Sequence, residues 1–218
     1  MTKRFDLLVF DWDGTLMDSA ATIVACIQAV GRDLGLPTPD AKLASHVIGL
    51  GLHEALSHVF PTLRSEDYSK VVDSYRRHYQ AKGNDVGLFP GVSELLQELH
   101  HAGHFLAVAT GKSRTGLDRA LASSGLSQRF HSSRCADECF SKPHPSMLLE
   151  LMEELNVQPS KTLMVGDTTH DLQMAANAGV SAVAVAYGAH NKKELLALQP
   201  LICVDDFAEL AQWLKNNA

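Results

Sequence analysis

Phe5-Asp6-Leu7-Leu8-Val9-Phe10-Asp11-Trp12-Asp13-Gly14-Thr15-Leu16-Met17-Asp18-Ser19 is the stretch that decides how this chain folds. Leu7 to Phe10 is an apolar run without polar alternation, the pattern of a strand buried on both faces. It stops at two acids, Asp11 and Asp13, followed by Gly14 and Thr15. Carboxylates at the end of a buried strand are costly unless their charge is compensated, and a metal ion is the usual compensator. Gly14 lets the chain turn sharply away from the strand end.

With 218 residues the chain has room for one large domain, or a core domain and a small one. Hydrophobic residues make up 45% and charged residues 20%, as in ordinary globular proteins. A formal net charge of -6 gives no support for binding nucleic acid or an anionic membrane. The apolar run after Lys3 and Arg4 is too short for a signal peptide, and no stretch is long and apolar enough to span a bilayer. The expected location is therefore the cytoplasm. Cys26, Cys135, Cys139 and Cys203 are scattered, which predicts free, mostly buried thiols of a reducing compartment.

Ser19 is positioned to cap a helix through Ala21, Val24, Ile27 and Val30. Pro37 and Pro39 break that pattern. Further helices are expected over 40–46 and 53–60, and a last one capped by Ser65 and running through Tyr79. The region from Ala21 to Gly83 thus reads as a helical insertion without strands. It is closed by the loop Gly83-Asn84-Asp85-Val86-Gly87. From Val92 onward, helical patterns alternate with short apolar runs. Strands are expected over 105–109, 130–133, 162–165, 182–186 and 201–204. This alternation predicts an α/β fold with a mostly parallel sheet and helices on both faces. The expected division is a core of residues 1–17 and 88–218 and a small all-helical cap of residues 18–87.

Ligands of such sheets bind beyond the carboxyl ends of the strands. Those ends carry Asp11 and Asp13, then Thr110-Gly111-Lys112, then Gly166-Asp167-Thr168-Thr169-His170-Asp171. Between the last two lies Ser141-Lys142-Pro143, a lysine just before a helix. The set suits phosphoryl transfer. A carboxylate that attacks a phosphate dianion needs its repulsion offset by Mg2+ and a lysine. A hydroxyl and backbone N–H groups at a helix start can hold phosphate oxygens.

These four segments, in this order, resemble the motifs of the haloacid dehalogenase (HAD) superfamily. The resemblance implies a Rossmann-like core and a Mg2+-dependent phosphatase that forms an aspartyl-phosphate. It makes Asp11 the nucleophile, Asp13 the general acid and base, Thr110 with Gly111 the phosphate-binding segment, and Lys142 the catalytic lysine. The Mg2+ ligands it implies are Asp11, Asp13 through its backbone carbonyl, and Asp167, with Asp171 supporting the metal site. The helical insertion resembles the cap of the phosphoglycolate phosphatase and beta-phosphoglucomutase-like branch. Within it, Ile48-Gly49-Leu50-Gly51-Leu52-His53-Glu54-Ala55-Leu56 resembles the substrate-specificity loop, which makes His53 and Glu54 candidates for substrate selection. Thr110-Gly111-Lys112 differs from the Thr-Asn-Lys common in phosphoglycolate phosphatases, so the substrate stays open within small phosphate esters.

Other readings weigh less. A phosphosugar mutase of the beta-phosphoglucomutase type shares cap and motifs. A phospho-receiver domain uses a similar acid cluster but needs no helical insertion, and its acid pair precedes the phosphorylated strand. A non-catalytic metabolite-binding protein would have no need of the intact acids. His53, Glu54 and His58 form H-E-x-x-x-H, which is not a zinc spacing. The partner is expected to be a small-molecule phosphate ester, with no nucleic acid and no membrane, and the chain a monomer or homodimer. Lys112 divides evenly between a surface lysine and one facing phosphate. His170 divides between solvent and substrate. Asp171 could also cap the helix that follows it.

Overall fold

In a computed structural model, Leu7–Phe10 forms strand β1 and is buried along its whole length. The structure describes residues 3–82 and 86–218. Leu8 and Phe10 enter one apolar cluster, and Leu7 and Val9 enter another. This is why the run shows no polar alternation: both faces of the strand are covered.

Five more strands complete the sheet: β2 (Phe105–Thr110), β3 (Ser132–Cys135), β4 (Thr162–Gly166), β5 (Ser181–Val185) and β6 (Cys203–Val204). Their order is β3-β2-β1-β4-β5-β6, and every pairing is parallel. The chain thus builds outward from β1 on one side, then crosses back to build on the other. That reversal next to β1 is where a parallel sheet opens a crevice for ligands. Phe10 lies opposite Val108 on β2 and Val165 on β4, so the three central strands end within two residues of one another.

The helices, in chain order, are α1 (Ala20–Asp33), α2 (Ala41–His46), α3 (Leu52–Val59), α4 (Tyr68–Lys82), α5 (Val92–His101), α6 (Arg114–Ser124), α7 (Ser146–Glu154), α8 (Thr169–Asn177), α9 (Lys192–Leu196) and α10 (Phe207–Asn217). Apolar residues of α5, α6 and α10 cover one face of the sheet, and those of α7 and α8 cover the other. The first four helices hold a cluster of their own, including Ile27, Val30, Val47, Leu56, Phe60 and Val71. The passages into and out of this insertion run side by side. Met17 bridges Leu88, Asp18 N donates to Gly87 O (3.0 Å) and Phe89 N donates to Leu16 O (3.0 Å). Of the expected closing loop, Gly83, Asn84 and Asp85 lie outside the described residues.

Some local expectations are corrected. The third strand begins at Ser132 rather than at Phe130, because Phe130 packs edge-on against Trp12 with ring centroids 6.3 Å apart. The last strand is only Cys203–Val204. Ser65 caps nothing; Ser65–Asp67 is a 3-10 turn clamped by Arg64 on Asp67 (2.8 Å) and leads into α4. All four cysteines are free, Cys26 and Cys135 buried and the other two half-buried. Among the described residues, no helix is long and apolar enough to cross a membrane.

Leu56 is fully buried within the cluster of the insertion. Leu56→Ala is expected to cost about 2–5 kcal/mol. Hydrogen exchange should then rise first across α1–α4 while β1, β2 and β4 keep their protection. Equal loss in both regions would show a single cooperative unit instead.

Candidate active site

The neighbouring ends of β1, β2 and β4 bring the acids together. Asp11 N donates to Val165 O (2.9 Å), which extends the strand alignment to the first acid. Its carboxylate is buried, and Lys142 Nζ donates to Oδ1 at 2.7 Å. The same ammonium lies 2.6 Å from Asp171 Oδ1, a second buried ion pair. Lys142 comes from the turn before α7 and has no exposed side chain. Burial opposes its charge, but Asp11 and Asp171 outweigh that and hold it above the ordinary lysine value.

Asp167 follows β4 and is fully buried. Thr15 Oγ1 donates to its Oδ1 (2.9 Å), and Ala189 N donates to its Oδ2 (2.7 Å). Two glycines make room for it. A Cβ at Gly14, whose φ is +79°, or at Gly188 would collide with this carboxylate. Asp171 does two jobs. Its Oδ2 accepts from Thr168 N (3.1 Å) and Thr168 Oγ1 (2.7 Å), closing a capping box at the start of α8, while Oδ1 faces Lys142.

Oxygens of Asp11, Asp167 and Asp171 all lie within 4.8 Å of one another. Three carboxylates around one lysine leave an excess of two negative charges when all are ionised. Burial pushes the Asp11 carboxyl well above the ordinary range, with repulsion from Asp171 and Asp167 added and the pull of Lys142 opposing. Burial, and then Asp171, push Asp167 up to about 7, although the Ala189 N–H and the Thr15 hydroxyl favour its charged form. Among the described residues, Asp11 Oδ2 is buried without a hydrogen-bond partner, while Asp171 Oδ1 meets only Lys142. Three buried carboxylates gathered this closely with excess negative charge are a donor set that fits Mg2+.

Asp13 sits apart from this cluster. Ser19 Oγ donates to its Oδ1 (2.7 Å), and Lys112 Nζ lies 3.0 Å from the same oxygen. Ser19 therefore does not cap α1 with its side chain, as the sequence suggests. Its hydroxyl turns inward to Asp13. Lys112 is neither at the surface nor in the Lys142 cluster; it donates to Tyr79 Oη of α4 (3.1 Å). Thr110 is buried at the end of β2, and its Oγ1 accepts from Lys112 N (3.2 Å). Gly111 lies beneath the insertion: a Cβ there would strike Leu50 O and Gly49 O.

The insertion is seated on the strand ends by backbone groups. Gly51 N donates to Ser141 Oγ (2.8 Å), and Ser45 Oγ donates to Ala189 O (2.6 Å). His46 O accepts from His170 Nε2 (2.8 Å) and His190 Nε2 (3.2 Å), since a carbonyl can only accept. His190 Nδ1 in turn accepts from Thr169 N (3.0 Å). Burial holds both imidazoles below the ordinary value, His190 at about 4. His170 thus faces the insertion. His53 and Glu54 are exposed and are not brought to the acids; the His53 ring packs against Tyr68, with centroids 4.6 Å apart. Ser19, Thr15, Tyr79 and Ser141 belong to the site without having been singled out for it.

A family model described as haloacid dehalogenase-like hydrolase matches residues 8–185. The "Probable phosphatase IndB" of Dickeya dadantii (strain 3937) is 39% identical over 212 residues, which cover 94% of this chain and 91% of that protein. The phosphoglycolate phosphatase of Vibrio vulnificus (strain CMCP6) is 31% identical and covers 95% of each chain. The crystal structure of a predicted phosphoglycolate phosphatase from Haemophilus somnus 129PT superimposes with a TM-score of 0.84 at 26% identity, over 97% of this chain and 99% of that one. A match that runs from β1 through β5, and so takes in every acid around Lys142, makes this chain a member of the haloacid dehalogenase-like hydrolases.

Proposed function

We propose that this chain is a Mg2+-dependent phosphatase that hydrolyses small, phosphoglycolate-like phosphate monoesters through a phosphate carried on Asp11. The observation that carries this reading is the free Oδ2 of Asp11: a buried carboxylate oxygen with no partner among the described residues, whose sister oxygen is pinned by Lys142. Such an oxygen is oriented but not consumed, as a nucleophile must be. Asp11 Oδ2 forms a bond to phosphorus as the ester oxygen leaves. Asp13 gives that oxygen its proton. Asp13 then takes a proton from water, which attacks phosphorus and frees Asp11. Lys142 balances charge on Asp11 and on the phosphate, while the Thr110 hydroxyl and the Gly111 N–H hold phosphate oxygens. Asp11, Asp167 and the backbone carbonyl of Asp13, supported by Asp171, would hold Mg2+, whose charge would offset the repulsion between carboxylate and phosphate.

A small substrate follows from the insertion seated over the strand ends, where the Gly49 and Leu50 carbonyls press on Gly111. Phosphatase rather than phosphosugar mutase is favoured by relatives that align along nearly their whole length and carry phosphatase names.

Asp11→Asn is expected to lower phosphate release by about three orders of magnitude or more. Its melting temperature should stay level or rise, because the amide removes one of the cluster's excess negative charges while Asp171 still faces Lys142. A folded Asn variant with near-normal turnover would overturn the nucleophile assignment.

The raised carboxyl of Asp167 gives a pH test. Its folded value of about 7 exceeds the ordinary unfolded value near 4, so between them the folded chain holds a proton that the unfolded chain has lost. The stability this lends is complete below about pH 4 and is lost as the pH rises through about 7. In EDTA, the melting temperature of the wild type should therefore fall relative to Asp167→Asn across that window, and Mg2+ should close the gap at its upper end. Parallel melting curves with and without Mg2+ would contradict both the shift and the metal.

A further inference from the structure

Lys112 and Tyr79 form a polar pair that the phosphate chemistry leaves unused. Lys112 belongs to the segment after β2, and Tyr79 to α4 of the insertion. The ammonium lies 3.0 Å from Asp13 Oδ1, donates to Tyr79 Oη at 3.1 Å and stands 4.7 Å from the centre of the Tyr79 ring. The Lys112 side chain is only 12% exposed and that of Asp13 only 10%. Tyr75 stacks on Tyr79, with ring centroids 6.0 Å apart.

Donor accounting shows what is missing. An ammonium has three N–H bonds. One is directed to Asp13 and one to Tyr79. The third has no acceptor among the described residues. The Tyr79 oxygen accepts from Lys112, so its own O–H is still to be placed, and no acceptor for it stands among the described residues either. Two unassigned donors therefore converge beside Asp13, one of them charged, in a site narrowly open to solvent. A ligand with two acceptor oxygens would satisfy both at once and displace the water that reaches them. A carboxylate is the group with that geometry and the charge opposite to the lysine.

The position decides which part of a ligand this is. The phosphate belongs at Asp11 and Lys142. Asp13 faces the leaving oxygen, and the pair meets Asp13 from the segment after β2 and from α4. The group it receives is therefore borne by the alcohol portion of the ester. We propose that Lys112 and Tyr79 seat a carboxylate carried by that portion, so that the chain selects short phosphorylated hydroxy acids over neutral phosphate esters of the same size. This rests on the phosphatase reading and names the feature of the substrate that the insertion recognises.

The test compares two esters, 2-phosphoglycolate and ethyl phosphate, which differ by the carboxylate. The wild type should prefer 2-phosphoglycolate. Lys112→Met also disturbs Asp13, so both activities should fall, and the readout is the ratio of the two kcat/KM values. That ratio should drop at least about tenfold, mostly through KM for 2-phosphoglycolate, because a lost charged hydrogen bond is worth about that factor or more. Lys112→Arg, which keeps the charge, should restore part of it. Tyr79→Phe keeps the ring and removes only the hydroxyl. It should lower the same ratio severalfold, and it carries the test if Lys112→Met does not fold. An unchanged ratio in a folded Lys112 variant and in Tyr79→Phe, or a wild type with no preference between the esters, overturns the seat while leaving the phosphatase reading intact. Loss of both activities from the wild type itself would instead remove the reading beneath it.

Discussion

One buried ammonium, that of Lys142, determines how the rest of this molecule must be arranged. It has no exposed surface, and alone it would be a prohibitive charge to bury. Asp11 and Asp171 make it tolerable, and each arrives by a different route: the end of β1 and the first turn of α8. For both to reach one nitrogen, β1 and β4 must be neighbours and must end close together, which the register achieves at Phe10 and Val165. The continuous apolar runs of these strands set that register by burial on both faces. Hydrophobic packing thus places the charges, and the charges then determine which turn may lie above them.

Asp171 shows how closely structure and chemistry share atoms. One of its oxygens closes the capping box of α8 and the other faces Lys142. The carboxylate cannot rotate toward either role without abandoning the other. It is therefore held rigidly by a local helix signal, and that rigidity is what a charge-balancing group needs. Asp167 is fixed differently, by a hydroxyl, a backbone N–H and two positions where no side chain fits.

The sequence was most legible where position follows from counting along a strand. Asp11, Thr110 and Asp167 stand at strand ends, so naming the strands nearly names the residues. Lys142 was legible from its turn before a helix. The insertion was legible as helices but not as a surface. α3 begins at Leu52, so His53 and Glu54 fall on its exposed side while Ala55, Leu56 and Val59 turn inward. Tyr79 reads only as part of the helical pattern of α4, and the packing of that helix over Lys112 is what gives it a polar neighbour. Ser19 is ambiguous by chemistry: the same hydroxyl can cap a helix or bond an acid, and the backbone at the start of α1 points it at Asp13. Much of the seam between insertion and sheet is made by the carbonyls and N–H groups of residues 46–51, which every residue type carries and no sequence pattern announces.

The paired passages at Met17 and Leu88 have a consequence for how such a chain can change over time. Entry and exit lie a single hydrogen bond apart, between Asp18 and Gly87. Anything spliced between those points whose own ends meet leaves the path of the sheet unaltered, and the entropic penalty of a longer splice grows only slowly with its length. The junction behaves as a socket. A lineage could exchange the helical unit for another small fold and retain its phosphate chemistry while acquiring a differently shaped chamber above it. A protein engineer could do the same by grafting at these two residues, because the strands beneath need not register that anything has been replaced.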